Sequence, residues 1–379
     1  MITLCIAVFS VLASATSGIP EEDFLGEPQQ LTFHDRFAKA GEAYFSPDGS
    51  KVVFQAVERV GEGETEDPFY AMFVGDLVEE EGRFELRRIR RVSPVGTANT
   101  CGWFDPLDPD VLWFASTVVP PTESNAPGYQ RGSGRYRWMF PPQMRVVKTR
   151  LDAADGTVDS LEVIEGDGTA YVAECSISPD GRYLLFCSLD SGQGDIFVKD
   201  LRSGEIIPLV TVPGYDGGPF FSPDGERICY RSDRNGNNLL QLFVADLARD
   251  EHGDLTGIER EYQLTDNAHV NWCPFWHPNG RHIVYGTSEM GHRNYEVFIV
   301  DAVSDLEADP PSLRYGTARR RVTEADGADV LPVFDSTGRL MMWTGQRDAG
   351  RTSQLWIAPF LMPEYRPSAT PSGAYGRGS

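Results

Sequence analysis

"GGPFFSPDGERICYRSDRNG", residues 217–236, holds an apolar run, a Ser-Pro-Asp-Gly turn and a second apolar run. Pro presets φ for the second position of a tight turn, Asp bonds back to local backbone, and Gly accepts φ > 0. With an apolar run on each side, an antiparallel hairpin is the natural product. One such phrase predicts a hairpin. A series of them predicts an architecture.

The phrase occurs six times. "AYFSPDGSKVVFQA" begins at Ala43, "GWFDPLDPDVLWFAS" at Gly102, "CSISPDGRYLLFCS" at Cys175 and "PFFSPDGERICYRS" at Pro219. "PFWHPNGRHIVYGT" begins at Pro274 and "PVFDSTGRLMMWTG" at Pro332. Only the second copy lacks a glycine at the turn, stretched as it is over Asp105–Asp110. A third strand follows each hairpin: "AMFVGDL" at Ala71, "MRVVKTRL" at Met144, "DIFVKDL" at Asp195, "QLFVADL" at Gln241, "EVFIVDA" at Glu296 and "QLWIAPF" at Gln354. A more polar fourth strand closes most units: "RRIRRVS" at Arg87, "DSLEVI" at Asp159, "EIIPLV" at Glu205, "EYQLT" at Glu261 and "RRRVT" at Arg319. The sixth unit has none after it, while "QQLTF", Gln29 to Phe33, stands alone before the first.

Four-stranded units repeated every roughly 45 to 70 residues suit a β-propeller, whose blades bury their faces against neighbours around a channel. The expectation is all-β: a six-bladed propeller of antiparallel blades, with the early strand "QQLTF" completing the last blade. Pairing the two ends of the chain would remove the exposed terminal faces of an open array. A sandwich built from similar hairpins would not require repeats in phase.

The formal charge of −22 argues against nucleic acid and against anionic membrane surfaces, whose binders carry basic patches. Residues 1–18, "MITLCIAVFSVLASATSG", form a short apolar run ending in small residues, the pattern of a secretory signal cleaved near Ala15. The run is too short for a membrane span. The expected organisation is a signal peptide over 1–18, a propeller over 27–361 and a disordered tail over 362–379, in a monomer that is periplasmic or secreted. Cys175 and Cys187 flank one hairpin, so a bridge between them stands against the commoner state of buried free thiols.

The phrases "QLTF", "AYFSPDG", "TCGWF", "GYDGGPFFSPDGERICYRSDR" and "LPVFDSTGRLMMWTG" resemble TolB-type propeller repeats, the WD-like repeats of exported bacterial proteins. The resemblance runs from Gln29 to Phe360. It implies a six-bladed propeller, a periplasmic or secreted location and a protein-binding role in envelope complexes. TolB itself carries a further N-terminal α/β domain, which is not expected here because the leader ends shortly before the first blade.

Catalytic motifs are scarce. No G-x-S-x-G elbow is present, which excludes the serine peptidases that related propellers gate. A metal-dependent polysaccharide lyase on a similar propeller, the alternative function, needs ligands converging from several blades. The six histidines do not distribute that way: His277, His282 and His292 gather in the fifth unit, where they read as solvated polar residues. Neither a cofactor nor a metal is expected, and the reading is of a non-catalytic binding module.

Two regions are candidate binding surfaces. The channel mouth is expected to present Glu42, Asn99, Glu174, Asp216, Asn271 and Asp329, with Tyr215, His269 and Trp272 beside them. Such carboxylates and amides would suit a cation or a basic segment of a protein partner, or would simply hydrate the channel. The second region is the long insertion from Pro120 to Arg145, basic and aromatic within an acidic chain, with Tyr129, Arg135, Tyr136, Arg137 and Trp138 as candidates.

Overall fold

Residues 20–122, 141–152, 156–302, 304–305, 312–313 and 316–362 are described by a computed structural model. Six four-stranded antiparallel sheets account for nearly all of it. Blade 1 comprises Phe37–Phe45, Lys51–Glu58, Ala71–Glu80 and Arg83–Arg91; blade 2 comprises Asn99–Phe104, Val111–Ser116, Arg145–Arg150 and Glu162–Glu165. Blade 3 runs through Val172–Ile177, Tyr183–Ser188, Asp195–Asp200 and Ile206–Val210. Blade 4 runs through Asp216–Phe221, Arg227–Ser232, Gln241–Arg249 and Leu255–Gln263. Blade 5 has Asn271–Trp276, His282–Thr287, Glu296–Asp301 and the short Arg320–Arg321. Blade 6 has Asp329–Phe334, Leu340–Gly345 and Gln354–Pro359, with Gln29–Gln30 as its outermost strand. Each innermost strand packs beside the next, and that of blade 6 packs beside that of blade 1, which makes the array a ring.

The recurring turn does the local work expected of it. In the first copy Ser46 Oγ donates to Asp48 Oδ1 at 2.6 Å and accepts from the Lys51 amide at 2.9 Å, while Gly49 takes φ +73°. The glycine-free second copy substitutes side chains. Asp105 Oδ1 accepts from the amides of Leu107 and Asp108, and Asp105 Oδ2 accepts from Trp113 Nε1 at 3.1 Å.

Second strands such as Tyr183–Ser188 are buried along their whole length, because both faces of a blade are covered by neighbours. That is why they read as unbroken apolar runs. Phe37, Phe54 and Phe73 meet at centroid distances of 5.3–5.6 Å in the largest core cluster, each essentially inaccessible to solvent. Burial of each such ring contributes about 1.5–3 kcal/mol.

The last blade is closed by the first strand. Gln29 lies opposite Ile357 and Gln30 opposite Trp356, and the Leu31 amide donates to the Leu355 carbonyl at 2.8 Å. A small motif explains why "QLTF" can serve as a fourth strand. The Thr32 hydroxyl accepts from the Leu355 amide, as Ser93 does from Met72, Thr265 from Leu242 and Thr323 from Val297, all at 2.8–2.9 Å. In each case the residue before the hydroxyl (Leu31, Val92, Leu264, Val322) is buried. The N-terminal segment is tied further by Arg347, which donates to both Glu21 oxygens at 2.8 and 2.9 Å and to Asp329.

Candidate functional site: a blind recess on the channel axis

Every innermost strand breaks register, near its start in blades 2–6 and past the middle of the longer strand of blade 1, and the break places one residue at positive φ. The six are Glu42, Cys101, Glu174, Gly218, Cys273 and Leu331, with φ between 42° and 59°. Five of these carry a side chain in a backbone region that costs roughly 1–2 kcal/mol for an L-residue. Bulges of this kind re-aim side chains and recur beside functional sites. Here all six residues line one cavity of about 490 Å³.

Two residues further along the same strands, the axis is filled. Tyr44, Trp103, Phe220 and Phe275 pack edge to face or tilted, with centroids 5.2–6.3 Å apart. The cavity is therefore a recess floored by an aromatic plug, of which Tyr44 and Phe220 form part of the lining.

The recess has two carboxylates with different partners. Glu174 accepts from Tyr215 Oη at 2.5 Å, from the Gly218 amide at 2.5 Å and from Arg231 Nη2 at 3.0 Å. Gly217 and Gly218 make room for this cluster, since a methyl group at either would collide with Tyr215 or with the Arg231 guanidinium. Glu42 accepts from Thr100 Oγ1 at 2.8 Å, from Tyr44 Oη at 3.4 Å and from the Cys101 thiol, all neutral. Among the described residues no Lys or Arg lies within ion-pair distance of it, and burial pushes its carboxyl above the ordinary range.

The remaining wall is mixed. Lys39 Nζ stands 4.2 Å above the Tyr70 ring, and burial lowers the pKa of its amine. Gln55 is 8% exposed, and its buried Oε1 has no hydrogen-bond partner among the described residues. Cys101, Cys175 and Cys273 line the recess as buried free thiols, and burial pushes the latter two up to about 12, which keeps them protonated and poorly nucleophilic. Cys175 and Cys187 are both free.

Of the residues anticipated at the mouth, Glu42, Asn99, Glu174 and Trp272 line the recess, and the Tyr215 hydroxyl reaches it through Glu174. Asn99, Asp216, Asn271 and Asp329 occupy a different register from Glu42 and Glu174: each opens its innermost strand and is buried. Asn99 Nδ2 donates to the Tyr70 and Thr97 carbonyls. Asn271 Oδ1 accepts from Thr287 Oγ1 at 2.9 Å. Asp216 pairs with Arg234, and Asp329 with Arg347 and Trp343 Nε1. His269 meets its neighbours through its backbone, its carbonyl accepting from Gln241 Nε2. Tyr129, Arg135, Tyr136, Arg137 and Trp138 lie outside the described residues, although Pro141 and Met144, just beyond them in sequence, line the recess.

Among the described residues no histidine lines the recess, and no group of three His, Cys, Asp or Glu side chains has the geometry of a metal site. His277 is not a solvated turn residue. It is buried, its ring 4.6 Å from that of Phe334. His282 Nε2 lies 3.1 Å from Asp301. Sequence reasoning missed Arg231, Gln55, Lys39 and Tyr70; only Arg231 carried a signal, a charge inside the otherwise apolar strand "RICYRS".

No family model matches the chain. A curated relative, an uncharacterized protein of Agrobacterium fabrum, is 28% identical over 161 residues, 42% of this chain and 45% of that protein. Tol-Pal system protein TolB of Wolinella succinogenes is 26% identical over 191 residues, 49% of this chain and 39% of TolB. The chain thus spans less than half the length of these curated relatives. A solved structure from Agrobacterium tumefaciens, described as a candidate TolB, superposes with a TM-score of 0.52 at 16% identity, covering 85% of this chain and 90% of that one, a likeness of fold. In its repeats and its closure the chain is a six-bladed β-propeller, similar in sequence to TolB over about half its length.

Proposed function

We propose that this chain is an exported, non-catalytic propeller that binds a protein partner of the cell envelope, through its channel mouth and the 120–145 segment. The reading is carried by one observation: the aromatic plug converts the channel into a blind recess bearing two carboxylates and protonated thiols. Such a surface suits recognition of a protruding polar group. Relatives named as Tol-Pal system proteins support an envelope role, and the apolar leader at 1–18 supports export. A basic segment in the partner fits the overall charge of −22.

The test is capture from envelope extract on the immobilised chain, beside Trp272→Ala and Trp138→Ala variants. A specific partner held by the parent chain and lost from the variants is expected. Equal capture by all three would overturn the assignment of the surface.

A further inference from the structure

We infer that the recess binds the ammonium group of a small organic amine, held between Glu42 and Gln55. The inference rests on reading the channel mouth as the binding surface, and it adds the ligand's chemistry.

The recess, at about 490 Å³, falls within the roughly 300–1,000 Å³ of sites that enclose a small molecule. Its unmet demand is for positive charge and for donors. Glu42 lines the recess at its bulge and meets only neutral donors, the hydroxyls of Thr100 and Tyr44 and the Cys101 thiol, so among the described residues its carboxyl has no cation within ion-pair distance. Gln55 lies opposite Gly41 in register, one residue from Glu42, and offers a buried Oε1 with no partner among those residues. An ammonium supplies three donors and one positive charge, which answers both groups at once.

The rest of the wall sets the limits of that ligand. Glu174 is already paired with Arg231, so the recess calls for one cationic group and not two. Lys39 and Arg231 oppose a dication. The aromatic surfaces of Tyr44, Phe220 and Trp272 offer contact for an apolar or aryl body. A bare Ca2+ or Mg2+ ion fits poorly, because it demands six or more converging oxygen ligands, and among the described residues no three His, Cys, Asp or Glu side chains converge for a transition metal. Burial holds the Glu42 carboxyl above its ordinary range, and a bound ammonium would restore its ionised form.

The experiment is calorimetric titration of the full chain with benzylamine and with its neutral analogue, benzyl alcohol. Saturable one-site binding of the amine is expected, with the alcohol weaker by about ten-fold. Glu42→Gln should weaken the amine by about ten-fold and leave the alcohol unchanged, and Gln55→Leu should weaken the amine several-fold. Equal affinity for amine and alcohol, or full amine affinity in Glu42→Gln, would overturn the inference. Should Glu42→Gln fail to fold, unchanged amine binding by Gln55→Leu would overturn it equally. Benzylamine is then added to the capture experiment. Amine binding without displacement of the partner identifies a free amine as the ligand, and displacement identifies a lysine side chain of the partner. A captured partner with no amine binding refutes this inference and leaves the protein-binding reading standing.

Discussion

Arg231 Nη2 lies 3.0 Å from Glu174 Oε1, and the two side chains are 10% and 6% exposed. A buried pair of this kind is costly to break from one side, because the survivor keeps its charge without its partner. Arg231→Met should destabilise the protein by about 3–5 kcal/mol. Combining it with Glu174→Gln should recover most of that loss. Urea unfolding of the single and double variants checks both statements, and a single variant as stable as the parent would refute the first.

The plug makes a separate claim. Phe220 contacts Tyr44, Trp103 and Phe275 at 5.3–5.8 Å, so it bridges three blades across the axis. Phe220→Ala should cost about 3 kcal/mol and enlarge the recess. Phe220→Leu, which retains most of the volume, should cost less than half as much. Thermal melts of the pair decide whether the plug holds the ring together or merely fills it.

Closure is testable at Leu31, 4% exposed and bonded through its amide to Leu355. Leu31→Pro removes that donor and perturbs the buried contact, at a cost of about 3 kcal/mol. Limited proteolysis should then cut before the first blade at protease levels that the parent resists. Unchanged resistance would argue that the N-terminal strand contributes little.

The pH dependence of stability should depend on Glu296. Burial, with the nearby Asp329 charge adding to it, raises its carboxyl to about 7 from an ordinary 4.5. The folded state therefore holds a proton that the unfolded state has released, and stability falls as pH rises between those values. Glu296→Gln removes this contribution. The melting temperature of the parent should drop relative to that of Glu296→Gln as pH goes from about 4.5 to about 7. Parallel curves for the two proteins would refute the assignment.

How much of this was legible beforehand varies by residue. Ser46, Asp48 and Gly49 form the turn that their types require, and Thr32 behaves like Ser93, Thr265 and Thr323 because it sits in the same phrase. The site was legible only in part. Sequence spacing offers Glu42 and Glu174 for the mouth together with Asn99, Asp216, Asn271 and Asp329, yet the latter four stand two residues before the bulges of their strands. Arg231 is not legible as a site residue, because a charge inside an apolar strand does not reveal its partner when that partner comes from another blade.

The sequence by itself determined the number of blades, their turns and the pairing of the two ends, because each depends on short phrases whose residue types carry their own conformational demands. Only the tertiary structure decided which side chains reach the axis. Five of the six bulge residues are not glycine, so nothing in their type announces positive φ. Their strain is tolerated because neighbouring blades fix the backbone on both sides. The plug likewise exists only where Tyr44, Trp103, Phe220 and Phe275, distant in sequence, converge on one axis.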